Sequence, residues 1–407
     1  FQFEGLDPQE TYTIVVPNKN KGYKIQHTNP RIVHKTDELD TLEQQLMKKR
    51  SLDEVLSQPL TPVKYDKDKV SKCLERVNAK LNKEPNDAEL YYKRGVFLFE
   101  LEEYNGAIES LNKCVELKAD HADAIMLRGD SKDFMGDYEG AVQDYSKNLE
   151  LENENLVAYY KRGFVRKDIG QAKEAVEDLS KVITAQPDHH YPYFYRGLAR
   201  YQLEKYNDAL SDFDKALAIE PNLVEAYFNK GLTNMHQKRF SEAITHFNKA
   251  IEMNPNDADA YLLRGQARSA LGNQVDANKD FDEAIRINPN LDVAYYEKAN
   301  MRYTLGDKEG ANKIYDEAVA KFPSNYEPYY QRGVFYYNIR DSKTAILDLD
   351  RAAALYDKDP YVFYYRALVN QKIRKKDASC EDAKKALSLG YDDVNKELEA
   401  LVERYCD

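Results

Sequence analysis

The chain has 407 residues, 42% hydrophobic and 32% charged, with a formal net charge of −11. That acidic balance excludes the basic face on which nucleic-acid phosphates are held, so nucleic acid is not an expected partner. No apolar run approaches the roughly 18 residues of a membrane span.

Residues 1–35 read as an extended N-terminal arm. Thr11-Tyr12-Thr13-Ile14-Val15-Val16 has strand character between Pro8 and Pro17. A lone strand cannot stand by itself, so the arm is either disordered or held by the protein's own groove or a partner. Residues 36–65 form a short helical segment and linker. Leu39, Leu42 and Leu46 share one helical face, with Thr36 placed to cap it. Ser51 followed by Glu54 is a capping box that starts a second short helix. Pro59 and Pro62 close this region. Residues 66–87 carry Val70, Cys73, Leu74, Val77 and Leu81 at helical spacing. This is the second helix of a repeat without its first, a half-repeat that caps the exposed end of the repeat array beginning at residue 88.

From 88 to 393 one phrase recurs every 34 residues. Its clearest copy is Val224–Asp257, where Phe240, Ala243, Ile244, Phe247, Ala250 and Ile251 mark one helical face. With Val224 as position 1, position 8 reads Gly95, Gly129, Gly163, Gly197, Gly231, Gly265, Ala299, Gly333 and Ala367. Position 20 is Ala in every copy but the last, which has Ser379. Position 24 is Leu111, Tyr145, Leu179, Phe213, Phe247, Phe281, Tyr315, Leu349 and Ala383. Glycine is poor inside a helix, so Gly231 implies close approach of a second helix, with Ala243 as the matching contact. Beyond the last copy, Val394, Leu398, Leu401, Val402 and Tyr405 form an apolar stripe, and residues 394–407 read as a C-terminal capping helix.

A 34-residue helix–turn–helix with this small-residue and aromatic spacing resembles the tetratricopeptide repeat (TPR) family. The resemblance covers residues 88–393 and implies an all-α, right-handed superhelical solenoid of about nine repeats with helical caps. It departs from the family at position 4, where Tyr replaces Trp in seven copies, from Tyr91 to Tyr329.

Position 7 is always basic, and where position 23 is Asp (Asp144, Asp178, Asp212, Asp280, Asp348, Asp382) position 7 is always Arg. The two Lys copies, Lys230 and Lys298, have His246 and Ile314 at position 23 instead. This internal covariation predicts a bidentate Arg–Asp pair between the two helices of a repeat, a geometry Lys cannot supply.

No enzyme is expected. None of the seven histidines has a carboxylate or thiol at ligand or triad spacing, and there is no phosphate-binding glycine loop. No metal or cofactor is implied. Cys73 and Cys114 fall at small buried positions, and with Cys380 and Cys406 they show no metal-ligand spacing. Disulfides are therefore not expected, which points to an intracellular reducing compartment. The first residue is Phe1, not Met. A processed terminus would suggest the mitochondrion, and a fragment the cytoplasm, cilium or cytoskeleton.

The resemblance implies that first helices line a concave groove through positions 2, 5, 6, 9, 12 and 13. The family's carboxylate clamp needs Lys at position 5, and none occurs here. Position 6 carries only one Asn, Asn229. What these positions carry instead is aromatic: Tyr160, then Tyr191, Phe194, Tyr195, Leu198 and Tyr201, then Phe228, Tyr296 and Tyr303, then Tyr330, Tyr337, Tyr361, Tyr364 and Tyr365. Position 5 is the one most readily absorbed into the core. Tyrosine offers contact area with a polar tip and is enriched at interface hot spots. The expected function is a non-enzymatic protein-binding scaffold, a structural or assembly subunit of a larger complex. The alternative is a co-chaperone or adaptor that binds client peptides transiently.

Overall fold

The computed structural model describes residues 38–48, 51–57, 65–392 and 396–406. The arm over 1–35, its strand-like run and Val394 lie outside them. All regular structure among the described residues is helical. The chain forms two compact units, the first running to Leu203 and the second from Glu204.

The first unit holds α1 (Glu38–Leu46), α2 (Leu52–Ser57) and α3 (Lys67–Leu81). After these come α4 (Ala88–Glu100), α5 (Tyr104–Leu117), α6 (Ala122–Phe134), α7 (Tyr138–Leu151), α8 (Leu156–Asp168), α9 (Ala172–Ala185) and α10 (His190–Gln202). The second holds α11 (Tyr206–Ile219), α12 (Val224–His236), α13 (Phe240–Met253), α14 (Ala258–Ala270), α15 (Gln274–Ile287) and α16 (Asp292–Thr304). It continues with α17 (Lys308–Lys321), α18 (Tyr326–Asn338), α19 (Ser342–Leu355), α20 (Pro360–Lys372), α21 (Lys376–Ser388) and α22 (Glu397–Tyr405). Within each unit consecutive helices from α3 onward pack on one another. First helices of successive repeats also touch, α4 with α6, α8 with α10, α14 with α16 and α18 with α20. Contacts that reach only near neighbours along the chain are the mark of a solenoid.

Local chemistry starts and stops each helix. Asp87 accepts from the backbone N–H groups of Glu89 and Leu90 at 2.8 and 3.2 Å, and Asp257 from that of Ala260 at 3.0 Å. The turn between the two helices of a repeat passes through a left-handed residue at position 15. Gly136, Gly170, Gly272 and Gly306 hold it in four repeats, but Glu102, Glu204, Lys238, Arg340 and Arg374 adopt φ of 57–66° with a side chain in place.

The core of a repeat is built where position 24 meets position 8. A Cβ on Gly231 would lie 2.6 Å from Cε1 of Phe247, and one on Gly163 would lie 2.9 Å from Cγ of Leu179. The atoms closest to that Cβ of Gly231 are thus those of Phe247; in the equivalent place beside Gly163 and Gly333 the position-20 alanine follows, the carbonyls of Ala175 and Ala345 at 3.4 Å. The Phe247 ring, one helical turn beyond Ala243 on α13, fills the space the missing side chain leaves. In the last repeat Ala367 and Ala383 are both buried, so the loss of the large residue accompanies the loss of glycine. Where position 24 is Tyr, its hydroxyl is satisfied by a polar residue at position 9: Tyr145 donates to Asp130 at 2.9 Å, and Tyr315 to Asn300 at 2.5 Å.

The predicted charge pair forms. Arg162 donates through Nε and Nη2 to Asp178 at 2.9 and 2.7 Å, Arg264 to Asp280 at 3.1 and 2.6 Å, and Arg332 to Asp348 at 2.8 Å twice. Arg128–Asp144 and Arg366–Asp382 repeat the pattern. Each guanidinium also has a third arm that the sequence did not suggest. Its Nη1 reaches position 25 of the preceding repeat: Asn112 from Arg128, Ser146 from Arg162, Asn248 from Arg264, Asp316 from Arg332 and Asp350 from Arg366. One side chain therefore ties two helices of its own repeat to the repeat before it. Arg94 does the same with Ser110 and with Asn78 of α3. The lysine copies keep only this backward arm, Lys230 to Asp214 and Lys298 to Asp282, both at 2.5 Å.

Candidate partner-binding faces

In the first unit the aromatic residues of α8 and α10 form one connected group. Tyr160 and Phe194, both at position 5, are 1% and 7% exposed and belong to the core; Tyr191, Tyr195, Leu198 and Tyr201 are half-buried. Tyr195 is the hub, with ring centroids 4.8 Å from Phe164, 5.4 Å from Phe194, 5.8 Å from Tyr191 and 6.1 Å from Tyr160. The Lys167 ammonium lies over the Phe164 and Tyr195 rings at 5.1 and 5.9 Å. Burial keeps the Tyr160 hydroxyl protonated well above the usual phenol range.

This face already has an occupant. The capping box predicted at Ser51 forms, with the Ser51 N–H donating to Glu54 at 2.7 Å and the Glu54 N–H to Ser51 Oγ at 3.3 Å. The helix it starts, α2, seats Val55 and Leu56 in a buried cluster with Tyr160, Leu179 and Val182. Leu52, Tyr159, Tyr191 and Tyr195 pack around that cluster. Leu56 is fully buried, while Asp53 and Glu54 face outward. Asp53 Oδ1 lies 3.2 Å from Nε2 of His189. The i, i+3, i+4 spacing of Leu52, Val55 and Leu56 is visible in the sequence. Where the helix docks is not, because a contact spanning 136 residues leaves no local trace.

Beside this face runs a charged strip. Lys161 is 2.6 Å from Asp130, and the Asp133 carboxyl is pushed up to about 6 by burial first and then by the Asp130 carboxylate. A second depression of about 830 Å³ opens near α1, lined by Glu43, Tyr92, Lys93, Lys118, His121 and Asp123 among others, and it is polar and bridged by Lys93–Glu43 at 2.7 Å.

In the second unit, Phe228 meets Phe247 edge-on at 5.8 Å, Tyr296 is 8% exposed, and Tyr303 meets Phe335 edge-on at 5.6 Å. Phe228 is tied to the core of its own repeat, and Tyr296 and Tyr303 to a cluster that includes Phe335 of the next. The tyrosines of α18 and α20 form a separate cluster. Tyr365 contacts Tyr364, Tyr337 and Tyr330 at 5.0, 5.8 and 6.0 Å. Tyr391 joins them unforeseen, stacked on Tyr364 at 4.4 Å and edge-on to Tyr361 at 5.2 Å. The Tyr364 hydroxyl donates to Glu397 of α22 at 2.8 Å. Tyr361 is 52% exposed.

One cysteine expectation fails. Cys380 and Cys406 form a disulfide, their Cα atoms 5.4 Å apart. Spacing did not show it because α22 folds back on α21 and brings them together across 26 residues. The argument from cysteine usage for a reducing compartment falls with it. Cys73 and Cys114 are buried and form no disulfide, as expected of small apolar positions. Among the described residues no group of three or more His, Cys, Asp or Glu side chains is placed to hold a metal ion, and no helix is long and apolar enough to cross a membrane.

Helix–turn–helix repeats of 34 residues, a small residue at position 8 under a large one at position 24, and aromatic first helices define a TPR-type solenoid. The chain belongs to the tetratricopeptide repeat family. Models described as tetratricopeptide repeat match residues 88–121, 156–189, 224–257, 246–277 and 296–360, and one described as TPR repeat matches 197–238. Among solved structures, a tetratricopeptide repeat protein from Parabacteroides merdae is 18% identical over 62% of this chain and 99% of its own, with a TM-score of 0.52. The MamA protein is 27% identical over 41% and 92%, with a TM-score of 0.39. YrrB, described as a TPR protein with an unusual peptide-binding site, is 26% identical over 47% and 98%, with a TM-score of 0.41. No curated protein matches the chain significantly.

Proposed function

We propose that the chain is a non-enzymatic scaffold, a structural or assembly subunit of a larger complex, that holds apolar segments of partner proteins on the aromatic faces of its first helices. The tyrosine cluster of α18 and α20 carries this conclusion. Several tyrosine rings gather there, and on α20 Tyr361 remains half-exposed and Tyr364 and Tyr365 half-buried while Phe363 alone of its aromatics is buried. Tyrosine gives large contact area at low conformational cost, which suits a binding face and is an odd choice for a merely solvated one.

Native size fractionation of a source extract, with mass spectrometry of what co-migrates at low and high salt, tests the proposal. A defined, salt-resistant set of companions is expected, with recovery falling at least tenfold for the Tyr361→Ala, Tyr365→Ala chain while helicity is unchanged. A monomer-sized peak, or companions lost at modest salt, would replace the assembly subunit with a transient adaptor.

A further inference from the structure

The geometry points to the α8–α10 face as a receptor for a short amphipathic helix of a partner protein, with α2 as the chain's own stand-in ligand that such a helix displaces. This rests on the scaffold function proposed above and adds the chemistry of the bound segment. α2 shows what the face accepts: a helix whose apolar stripe, Leu52, Val55 and Leu56, points in, and whose first turn carries acid, Asp53 and Glu54, pointing out. The rim carries cationic side chains for those carboxylates: His189 faces Asp53, and Lys181 lies over the surrounding ring of Tyr159. The partner segment is therefore a helix with large aliphatic residues at i, i+3 and i+4 and carboxylates in its first turn, the helix-in-groove mode of recognition.

α2 is suited to being displaced. Six residues are too few for a helix to hold itself together, so α2 depends on tertiary contact, and among the described residues the buried contact it makes is with this face. Only nine residues separate its end from the start of α3. A short tether keeps the local concentration of α2 high, on the order of millimolar. That masks an apolar face when no partner is present and yields to a longer helix that makes the same contacts and more. A tightly folded element would instead pack with many neighbours, whereas α2 has α8 as its main helical contact.

The test uses the full chain and a fluorescent peptide with the sequence of residues 48–58. In the native chain α2 competes, so binding is weak. The Val55→Asp, Leu56→Asp chain has an empty face and should bind the peptide at least tenfold more tightly. Adding Tyr195→Ala to that chain should remove the gain. Amide exchange supplies an arm that needs no substitution: at saturating peptide, α2 amides of the native chain should exchange faster while those of α8 and α10 stay protected. Equal peptide affinity for native and substituted chains, or α2 exchange unmoved by peptide, would overturn the proposal. So would a concentration-dependent dimer abolished by the double substitution, which assigns the face to α2 of a second copy. Salt-resistant companions in extract combined with no peptide binding would refute this inference alone. Peptide binding by a chain that fractionates as a monomer would refute only the assembly-subunit function.

Discussion

Asp178→Ala should be among the most damaging of the single-carboxylate removals in the first unit, together with removal of Asp144, which Arg128 and Lys132 hold in the same way. Asp178 accepts three charged hydrogen bonds, two from Arg162 and one from Arg166 Nη1 at 2.6 Å, and its side chain is only 4% exposed. Removing it leaves two guanidinium groups, 14% and 17% exposed, facing each other across the gap. Breaking a buried pair in this way costs about 3–5 kcal/mol. The lower end applies, about 3 kcal/mol, because Arg162 keeps its arm to Ser146 and both groups retain some water. Asp214 offers the contrast. It meets Lys230 at 2.5 Å but is 63% exposed, and an exposed pair is worth about 1 kcal/mol or less. A global melt averages over a repeat array, so the assay is native-state amide exchange in α8 and α9 for Asp178→Ala, and in α12 and α13 for Asp214→Ala. The first should open roughly a hundredfold more readily and the second less than about tenfold. Asp178→Asn should match Asp178→Ala, which separates lost charge from lost volume. If the two sites cost the same within about 0.5 kcal/mol, the buried bidentate brace is not what stabilises these repeats.

Three further outcomes are expected. Gly231→Ala should cost about 1–2 kcal/mol in a urea titration, since the new methyl meets the Phe247 ring; the low end holds because Ala299 coexists with Tyr315 two repeats further on, so a small ring shift is tolerated. Asp133→Asn should stabilise the chain at pH 8 by up to about 3 kcal/mol and have no advantage below about pH 4: the folded carboxyl sits at about 6, above its ordinary 3.8, so the stability of the protonated form is full below 3.8 and lost as pH rises to 6. Paired urea titrations at the two pH values check this, and an equal gain at both would refute it. Cys406→Ser, or reductant, should speed amide exchange in α22 alone, because Leu398 and Leu401 still hold the helix against α21 but lose the covalent tie.

The repeat was legible because it compares the chain with itself. Nine aligned copies expose which residues vary together, and the Arg–Asp pairing followed from copies that substitute Lys and lose the Asp in step. Two further covariations were present and went unused. Tyr at position 24 goes with Asp130 or Asn300 at position 9, and Lys at position 7 always faces an Asp one repeat back, Asp214 or Asp282, where Arg faces Asn, Ser or Asp. The second was missed because it crosses a repeat boundary. A search confined to one copy sees only contacts between its own two helices, whereas a solenoid draws much of its cohesion from the next interface. The left-handed position 15 was obscured differently, since glycine fills only four of the nine turns and charged residues fill the other five at some strain.

The aromatic faces divide along a physical line that periodicity alone does not draw. Positions 2, 5, 6, 9 and 12 all lie on the first helix, but exposure depends on what the adjacent helices and the chain's own additions cover. Tyr160 and Tyr296 are absorbed at position 5, Tyr361 stays open at position 2, and Tyr191 and Tyr195 are half-covered by α2, an element outside the repeat. An element that occurs once has no second copy to be compared with. The residues of α2 specify an amphipathic helix with a capping box, which is enough to say that it must dock somewhere and not enough to say where. A segment too short to fold alone takes its structure from the surface it covers. Such a segment, lying on an aromatic surface of its unit, is where a bound partner helix and the protein's own folding would compete for the same side chains.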